Sequence, residues 1–243
     1  YGAEQSLSDY GNTRDLSYTV GGQYTANLQN MSLIVGIEDK GATLKDKKLG
    51  YPDLDNATIN YSDSSITVPY TENTLIANQF SHTIGTFAQY EMDWKNWQVS
   101  AGLRLDNYMI TDKTGESADK SGSMLSPRVT LKYDVRDFMQ ARLSYSQGYR
   151  APQIYDEDLH IETSGARQVV HKNAPDLREE LSHSYMASMD FNKRFGDLYI
   201  NLLIEGFYTA LQHAFVNEFS APDANGRVVY TRKNSDGGAV VQG

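Results

Sequence analysis

With 31 acidic and 22 basic residues among 243, the chain carries a formal net charge of −9, the wrong sign for the basic footprint of a nucleic-acid binder. It contains no cysteine, which excludes a disulfide framework, a thiolate nucleophile and a Cys-based zinc site. No apolar run reaches the length of a transmembrane helix. A membrane barrel stays open, because its strands alternate apolar and polar residues and average out as hydrophilic.

Period-2 alternation recurs from end to end and predicts strands at 15–28, 31–40, 79–94, 97–111, 125–135, 138–148, 179–191, 198–211 and 227–243. In the third, Ile84, Ala88, Tyr90, Met92 and Trp94 share one face, with Gln89, Glu91 and Asp93 on the other. The fourth sets Trp97, Val99, Ala101, Leu103 and Leu105 against Gln98, Ser100, Gly102, Arg104 and Asp106. Val129, Leu131 and Tyr133 alternate with Arg128, Thr130 and Lys132; Ala141, Leu143 and Tyr145 alternate with Arg142 and Ser144. Tyr185, Ala187, Met189 and Phe191 form one further apolar row, and Leu198, Ile200, Leu202 and Ile204 another. Apolar residues do not recur at helical spacing in these windows.

The connections alternate between short and long. Tight turns are predicted at Gln29-Asn30, Lys95-Asn96 and Arg136-Asp137, with a slightly longer one near 192–196; polar stretches fill 41–78, 107–124, 149–178 and 212–226. Outer-membrane barrels connect their strands in this way, with short periplasmic turns and long extracellular loops. Trp94 and Trp97 flank a tight turn, where an interfacial aromatic girdle belongs. The expected fold is therefore all-β: an antiparallel up-and-down transmembrane β-barrel segment with about nine strands. The competing architecture on pattern alone is a soluble β-sandwich that binds carbohydrate or protein through Tyr-rich loops, 17 tyrosines being present.

Several segments resemble the TonB-dependent receptor family, and together they cover nearly the whole chain. Gly85-Thr86-Phe87-Ala88-Gln89-Tyr90-Glu91 followed by Ala101-Gly102-Leu103-Arg104-Leu105-Asp106 is similar to the family's paired FxQxE and GxRxD strands. Leu125-Ser126-Pro127-Arg128-Val129 resembles its SPR strand start, and Gly148-Tyr149-Arg150-Ala151-Pro152 its GFRAP segment. Asn173-Ala174-Pro175-Asp176-Leu177-Arg178-Glu179-Glu180 resembles NPDLKPE, and Gly206-Phe207-Tyr208-Thr209 the strand that follows. The resemblance implies a wall segment, residues 1–243, of a larger barrel of about 22 strands in the bacterial outer membrane. A plug domain and the C-terminal strand are expected outside this chain, which starts at Tyr1 and ends in what reads as mid-strand.

The implied function is TonB-energised uptake of a scarce nutrient such as a ferric siderophore, haem or cobalamin. The implied partners are the TonB complex, reached through the plug, the small-molecule chelate or vitamin, and outer-membrane lipid. No covalently bound cofactor is implied. Open sheet edges predict that the segment by itself self-associates.

Three groups of residues are site candidates. Glu91, Arg104, Asp106, Arg128 and Arg142, with Gln89, Lys132 and Asp190, form an inward polar row that either seats the plug or is simply a hydrated lumen face. Asp156, Glu157 and Asp158 form a carboxylate run in the loop after Arg150; hard oxygens clustered this way suit Ca²⁺, although no EF-hand loop is present and a solvated acidic loop is the plainer reading. Asp53, Asp55 and Asp63 in the first long loop read the same way. His160 and His171 lie between the two box-like segments, the layout in which haem receptors of the family carry an axial histidine. For a siderophore or cobalamin, Arg150 and Tyr155 would make the contacts instead. No nucleophile elbow, zincin, Walker or dinucleotide-binding pattern occurs, so no enzyme is expected.

Overall fold

The structure is a computed structural model that describes residues 11–48, 52–53, 56–70, 74–114, 118–152, 169–219, 221 and 228–243. Its strands are β1 (Gly11–Leu28), β2 (Met31–Lys48), β3 (Thr58–Asn60), β4 (Ser65–Thr67), β5 (Thr74–Trp94), β6 (Trp97–Asp112), β7 (Lys120–Arg136), β8 (Met139–Arg150), β9 (Val169–Asn173), β10 (Glu180–Phe195), β11 (Leu198–Gln212), β12 (Phe215–Phe219), β13 (Val228–Asn234) and β14 (Ala239–Gln242). Nine of them form one sheet in the order β1-β2-β5-β6-β7-β8-β10-β11-β14. Every neighbouring pair in it is antiparallel. β1 and β14 are its open edges. A nine-stranded wall is present as expected, and its strands pair as an up-and-down meander.

Which way each face points follows from exposure. On β6 the polar positions Arg104, Asp106 and Tyr108 are half-buried or buried, while Leu103, Leu105 and Met109 between them are exposed. In a curved sheet, side chains on the concave side crowd and shield one another, and those on the convex side splay apart. The polar row therefore lines the inside of the curve. Leu103 and Leu143 stay 48% and 58% exposed on the outside. A sandwich would bury that row in a core between two sheets. The buried apolar residues among those described are few, Ala77, Tyr108, Ile110, Pro152, Leu177 and Ala214, and none belongs to the outer rows of Leu103 and Leu143, so the outer apolar face is built for lipid.

The two ends of the sheet differ as expected. Trp94 pairs with Trp97, whose ring packs 4.3 Å from that of Tyr133. At the same end, Phe138 meets Phe191 edge-on at 5.4 Å, with the Lys193 ammonium 4.0 Å above the Phe138 ring. This is an aromatic girdle with a cation at its rim, at the end that carries the tight turns between neighbouring wall strands. The long connections all leave from the opposite end. Strands of up to 21 residues exceed the roughly 9–11 a tilted membrane strand needs, and the excess projects past the bilayer into the loops.

Three boundaries differ from the sequence reading. β2 and β5 continue well into the stretch expected to be loop, pairing as far as Lys48 with Thr74. The third tight turn is Asp137-Phe138 rather than Arg136-Asp137, because an irregularity between Asp134 and Arg136 places an extra residue in β7. The last expected strand, 227–243, is two strands in different sheets. β13 pairs with β12 and, in parallel, with β9, and only β14 joins the wall. Asn234 makes the break: its side chain donates to the carbonyls of Arg178 (2.9 Å) and His213 (2.8 Å) and accepts from the Arg178 N–H (2.9 Å). Those bonds anchor the chain where it would otherwise run on along β11.

Candidate functional site

The inner face carries a connected set of charges at mid-height. Glu38 on β2, Gly85 on β5 and Asp106 on β6 occupy one cross-strand row. Arg104, two residues from Asp106, donates from Nε to both Asp106 oxygens at 2.8 and 3.0 Å, and from Nη2 to Glu38 Oε1 at 2.9 Å. Lys40 reaches the same Glu38 oxygen at 2.8 Å. To join β6 to β2 the guanidinium must pass over β5. It does so at Gly85, where a Cβ would fall on Arg104 Nη2 and Asp106 Oδ1.

Above this group, toward the loops, lies a small aromatic cluster. Tyr108 stacks on Tyr149 with centroids 6.1 Å apart, and Ile110, Met124 and Ala151 pack around them. The Tyr108 hydroxyl donates to Glu179, and Tyr149 lies beside Asp106. Strict alternation would set Tyr149 outward with Leu143 and Tyr145. β8 pairs with β7 only as far as Ser146, however, and past that point Tyr149 packs on the inner-face tyrosine.

At the loop end, the β12-β13-β9 sheet is tied to the tops of β8 and β10. Glu180 accepts from the Phe215 N–H at 2.8 Å and faces Arg150 at 3.7 Å. The Arg150 guanidinium lies 4.6 Å above the Phe215 ring, and that of Arg232 lies 5.8 Å from it. Arg232 is buried, and burial together with the nearby Arg150 charge pulls its pKa below the ordinary value. Half of the Arg150 side chain remains exposed. On β13, Lys233 bridges to Glu218 at 2.5 Å.

The lower inner face is different. Arg128, Lys132 and Arg142 line one shallow polar pocket with Gln89, Glu91 and Ser144. Lys132 and Arg142 are direct cross-strand partners. Glu91 takes its hydrogen bonds from Gln89 (2.7 Å) and Ser32 (3.5 Å), and Arg142 donates to Gln140 at 3.4 Å. Among the described residues neither Arg128 nor Arg142 has a carboxylate partner.

These features can be set against known proteins. The family described as TonB dependent receptor-like, beta-barrel matches residues 1–243. The chain belongs to that family. It is an all-β wall of an outer-membrane barrel, from a family of receptors and not of enzymes. No curated protein matches the sequence. Among solved structures, the copper transporter OprC superposes with a TM-score of 0.63 at 13% identity, over 96% of this chain and 35% of that one. The FrpB iron transporter from Neisseria meningitidis (F5-1 variant) gives 0.63 at 15%, over 95% and 33%. The siderophore receptor PirA from Acinetobacter baumannii gives 0.57 at 17%, over 96% and 34%. At such identities the likeness establishes the fold, and the chain spans about a third of the length of each.

The residues singled out in sequence fall into distinct places. Arg104 and Asp106 come together; Glu91, Arg128 and Arg142 share the lower pocket without pairing across it. Within the row the tight pair is Arg104–Asp106 in its upper part, and lower down Lys132 faces Asp134 at 3.9 Å. Arg150 stands at the loop end. The backbone of His171 lies on β9 opposite Tyr230. Tyr155, Asp156, Glu157, Asp158 and His160 lie outside the described residues, as does Asp55. Asp63 accepts from Ser65 N and Oγ at 3.0 and 2.7 Å, which holds its carboxyl below the usual range, and Asp53 accepts from Asn56. Both are turn-forming carboxylates. No metal-holding group of three or more such side chains occurs among the described residues. Sequence reasoning missed Glu38, Gly85, Tyr108, Glu179, Phe215 and Arg232. Of these, only Gly85, at the head of the FxQxE-like segment, and Glu179, inside the NPDLKPE-like segment, carried any local signal.

Proposed function

We propose that the full-length receptor containing this chain imports a scarce nutrient of the ferric siderophore, haem or cobalamin class with TonB energy, gated by a plug held inside a barrel of about 22 strands. The observation that carries the reading is a polar, ion-paired inner face running beneath a loop sheet, in a chain matched by a receptor-barrel family over its whole length. Fold neighbours that are copper, iron and siderophore carriers agree with it.

The division of charge on the inner face suggests which residues serve the plug. Glu38, Arg104 and Asp106 neutralise one another and act as a brace for the wall. Arg128 and Arg142 are left to pair with carboxylates of the plug. Both arginines are exposed on the inner face, and a complementary acidic surface would relieve the crowding of like charges there. At the loop end, Arg150 presents a half-exposed guanidinium held over Phe215, which suits the carboxylate or phenolate oxygens of a chelate.

The test is uptake and binding by the full-length receptor in a strain lacking it, with a panel of ferric siderophores, haem and cobalamin. Growth or accumulation with one of them, lost without TonB, is the expected result. A receptor that binds none of the three classes and transports none would overturn the reading.

A further inference from the structure

The inner face is not equally bulky across its width. On β8 the inner row reads Arg142, Ser144, Ser146, Gly148 and Arg150. Its cross-strand partners on β10 are Ser188, Met186, Ser184, Ser182 and Glu180. Small side chains continue sideways into β7, where Thr130 pairs with Ser144, and into β11, where Thr209 shares a hydrogen bond of 2.9 Å with Ser184. A Cβ on Gly148 would fall 2.9 Å from Ser182 Oγ, so the two strands present a low surface there. The flanking inner rows stand taller. β6 carries Arg104 and Tyr108, and β11 carries Phe207, the partner of Met186. Between them lies a shallow lane of hydroxyls that extends about 27 Å from Arg150 to Arg142, at about 3.3–3.4 Å per residue.

The lane is cationic at both ends, and β8 carries no acid between them. At the upper end Arg150 stands where the loop sheet meets the wall. Its guanidinium is held 4.6 Å above Phe215, and Glu180 lies 3.7 Å away, beyond hydrogen-bond length. Half of the Arg150 side chain is exposed, within reach of an acceptor arriving from the loops. Arg232, 5.8 Å from the same ring, places a second guanidinium close by. At the lower end Arg142 and Arg128 are exposed where the plug would sit. A serine hydroxyl rotates to donate or accept as needed. A row of them meets a moving anion without the fixed geometry that would trap it. In a chain of net charge −9, this row departs from the average and favours a negative cargo.

We propose that the inner row of β8 and its β10 partners form the lane along which an anionic ferric chelate travels from the loops toward the plug, with Arg150 the first group to take its oxygens. The assignment rests on the uptake reading above and narrows it. Chelates that present negative catecholate or carboxylate oxygens are the cargo; neutral chelates and cobalamin are not. Arg150 selects by charge, because a guanidinium offers parallel N–H donors to anionic oxygens. Ser146 and Ser184, direct partners midway along the lane, keep it wide enough for a chelate. Contacts that are individually weak and repeated let a charged cargo enter and also leave.

The experiment uses the full-length receptor in cells that lack it, with ferric tris-catecholate, ferric citrate, a neutral ferric trihydroxamate and cobalamin as probes. An anionic chelate is expected to bind at least about tenfold more tightly than the neutral probes, and R150Q should lower its affinity about tenfold. Passage is tested separately from capture. With any other cysteine of the receptor replaced, Ser146→Cys and Ser184→Cys are each modified from outside with a benzyl thiosulfonate. Uptake should fall at least about tenfold while surface binding is kept, and a reductant should restore it. Tyr61→Cys, in an exposed loop hairpin, should react and transport as before. Uptake at the unmodified rate by both adducts, or failure of the reagent to reach either cysteine, would overturn the lane. Equal affinity for a neutral probe would overturn the charge selection and leave the uptake reading standing; a receptor that takes up none of the four removes both.

Discussion

Arg104 lies over the backbone of Gly85, occupying the space that a side chain at that position would need. The contact lets one guanidinium tie β6 to β2 across the intervening strand, through Asp106 on one side and Glu38 on the other. A glycine in a strand interior usually weakens it, and its presence marks a close approach of another group. Here the approaching group is the centre of the inner-face charge network. Replacing Gly85 with alanine or valine should displace Arg104, free Glu38 and destabilise the barrel by about 1–3 kcal/mol. The loss would be read as a lower unfolding midpoint of the full-length receptor in detergent. The variant R104K should fall in the same direction, since an ammonium cannot hold Asp106 and Glu38 in a fixed fork. An unchanged midpoint for both Gly85→Val and R104K would show that the network carries no stability.

Arg128 and Arg142 are expected to hold the plug, and Arg104 is not. Charge reversal at Arg128 and Arg142 should loosen the plug and make the channel leaky to large antibiotics, with little change in barrel melting. Arg104→Gln should do the opposite, lowering barrel stability without opening the channel. Antibiotic sensitivity and thermal unfolding, measured side by side on the same variants, separate the two roles.

The 243-residue segment produced by itself should not remain monomeric. β1 and β14 both leave an unpaired row of backbone donors and acceptors, and the outer face exposes Leu16, Val20, Leu103, Leu143 and Ile204 among others. Exposed edges and a continuous apolar face each promote association. Light scattering of refolded segment should show oligomers even in mild detergent. A stable monomer there would contradict the expectation.

Ligand capture by the loop after Arg150 can be decided with haem. If the cargo is haem, neutral His160 or His171 ligates the iron. A Soret shift in the wild-type full-length receptor should then be lost in His160→Ala or His171→Ala. If the cargo is a siderophore or cobalamin, both histidine variants should behave as wild type, and Arg150→Ala should weaken binding about tenfold, the loss of one charge-assisted contact. The carboxylates Asp156, Glu157 and Asp158 add a parallel check: chelating Ca²⁺ should leave binding unchanged if they form only a solvated acidic run.

Local patterning by itself determined the nine-stranded wall, the tight turns at 29–30 and 95–96, the division into an apolar and a polar face, and the girdle at Trp94 and Trp97. These features are written at a period of two residues, and a period is visible in a linear chain. Tertiary structure alone decided which charges meet. Glu38 reaches Arg104 only because β2, β5 and β6 align in one register and Gly85 leaves the way clear. Register depends on pairings between residues 66 positions apart, and no local pattern encodes them. The same holds for the last expected strand. Residues 228–234 carry ordinary strand character, but whether they extend the wall or join a loop sheet was settled by Asn234 bonding to Arg178 and His213, residues distant in the chain. Alternation specifies that a segment is a strand and which face is apolar; the choice of neighbour belongs to hydrogen bonds that form only once the sheet is assembled.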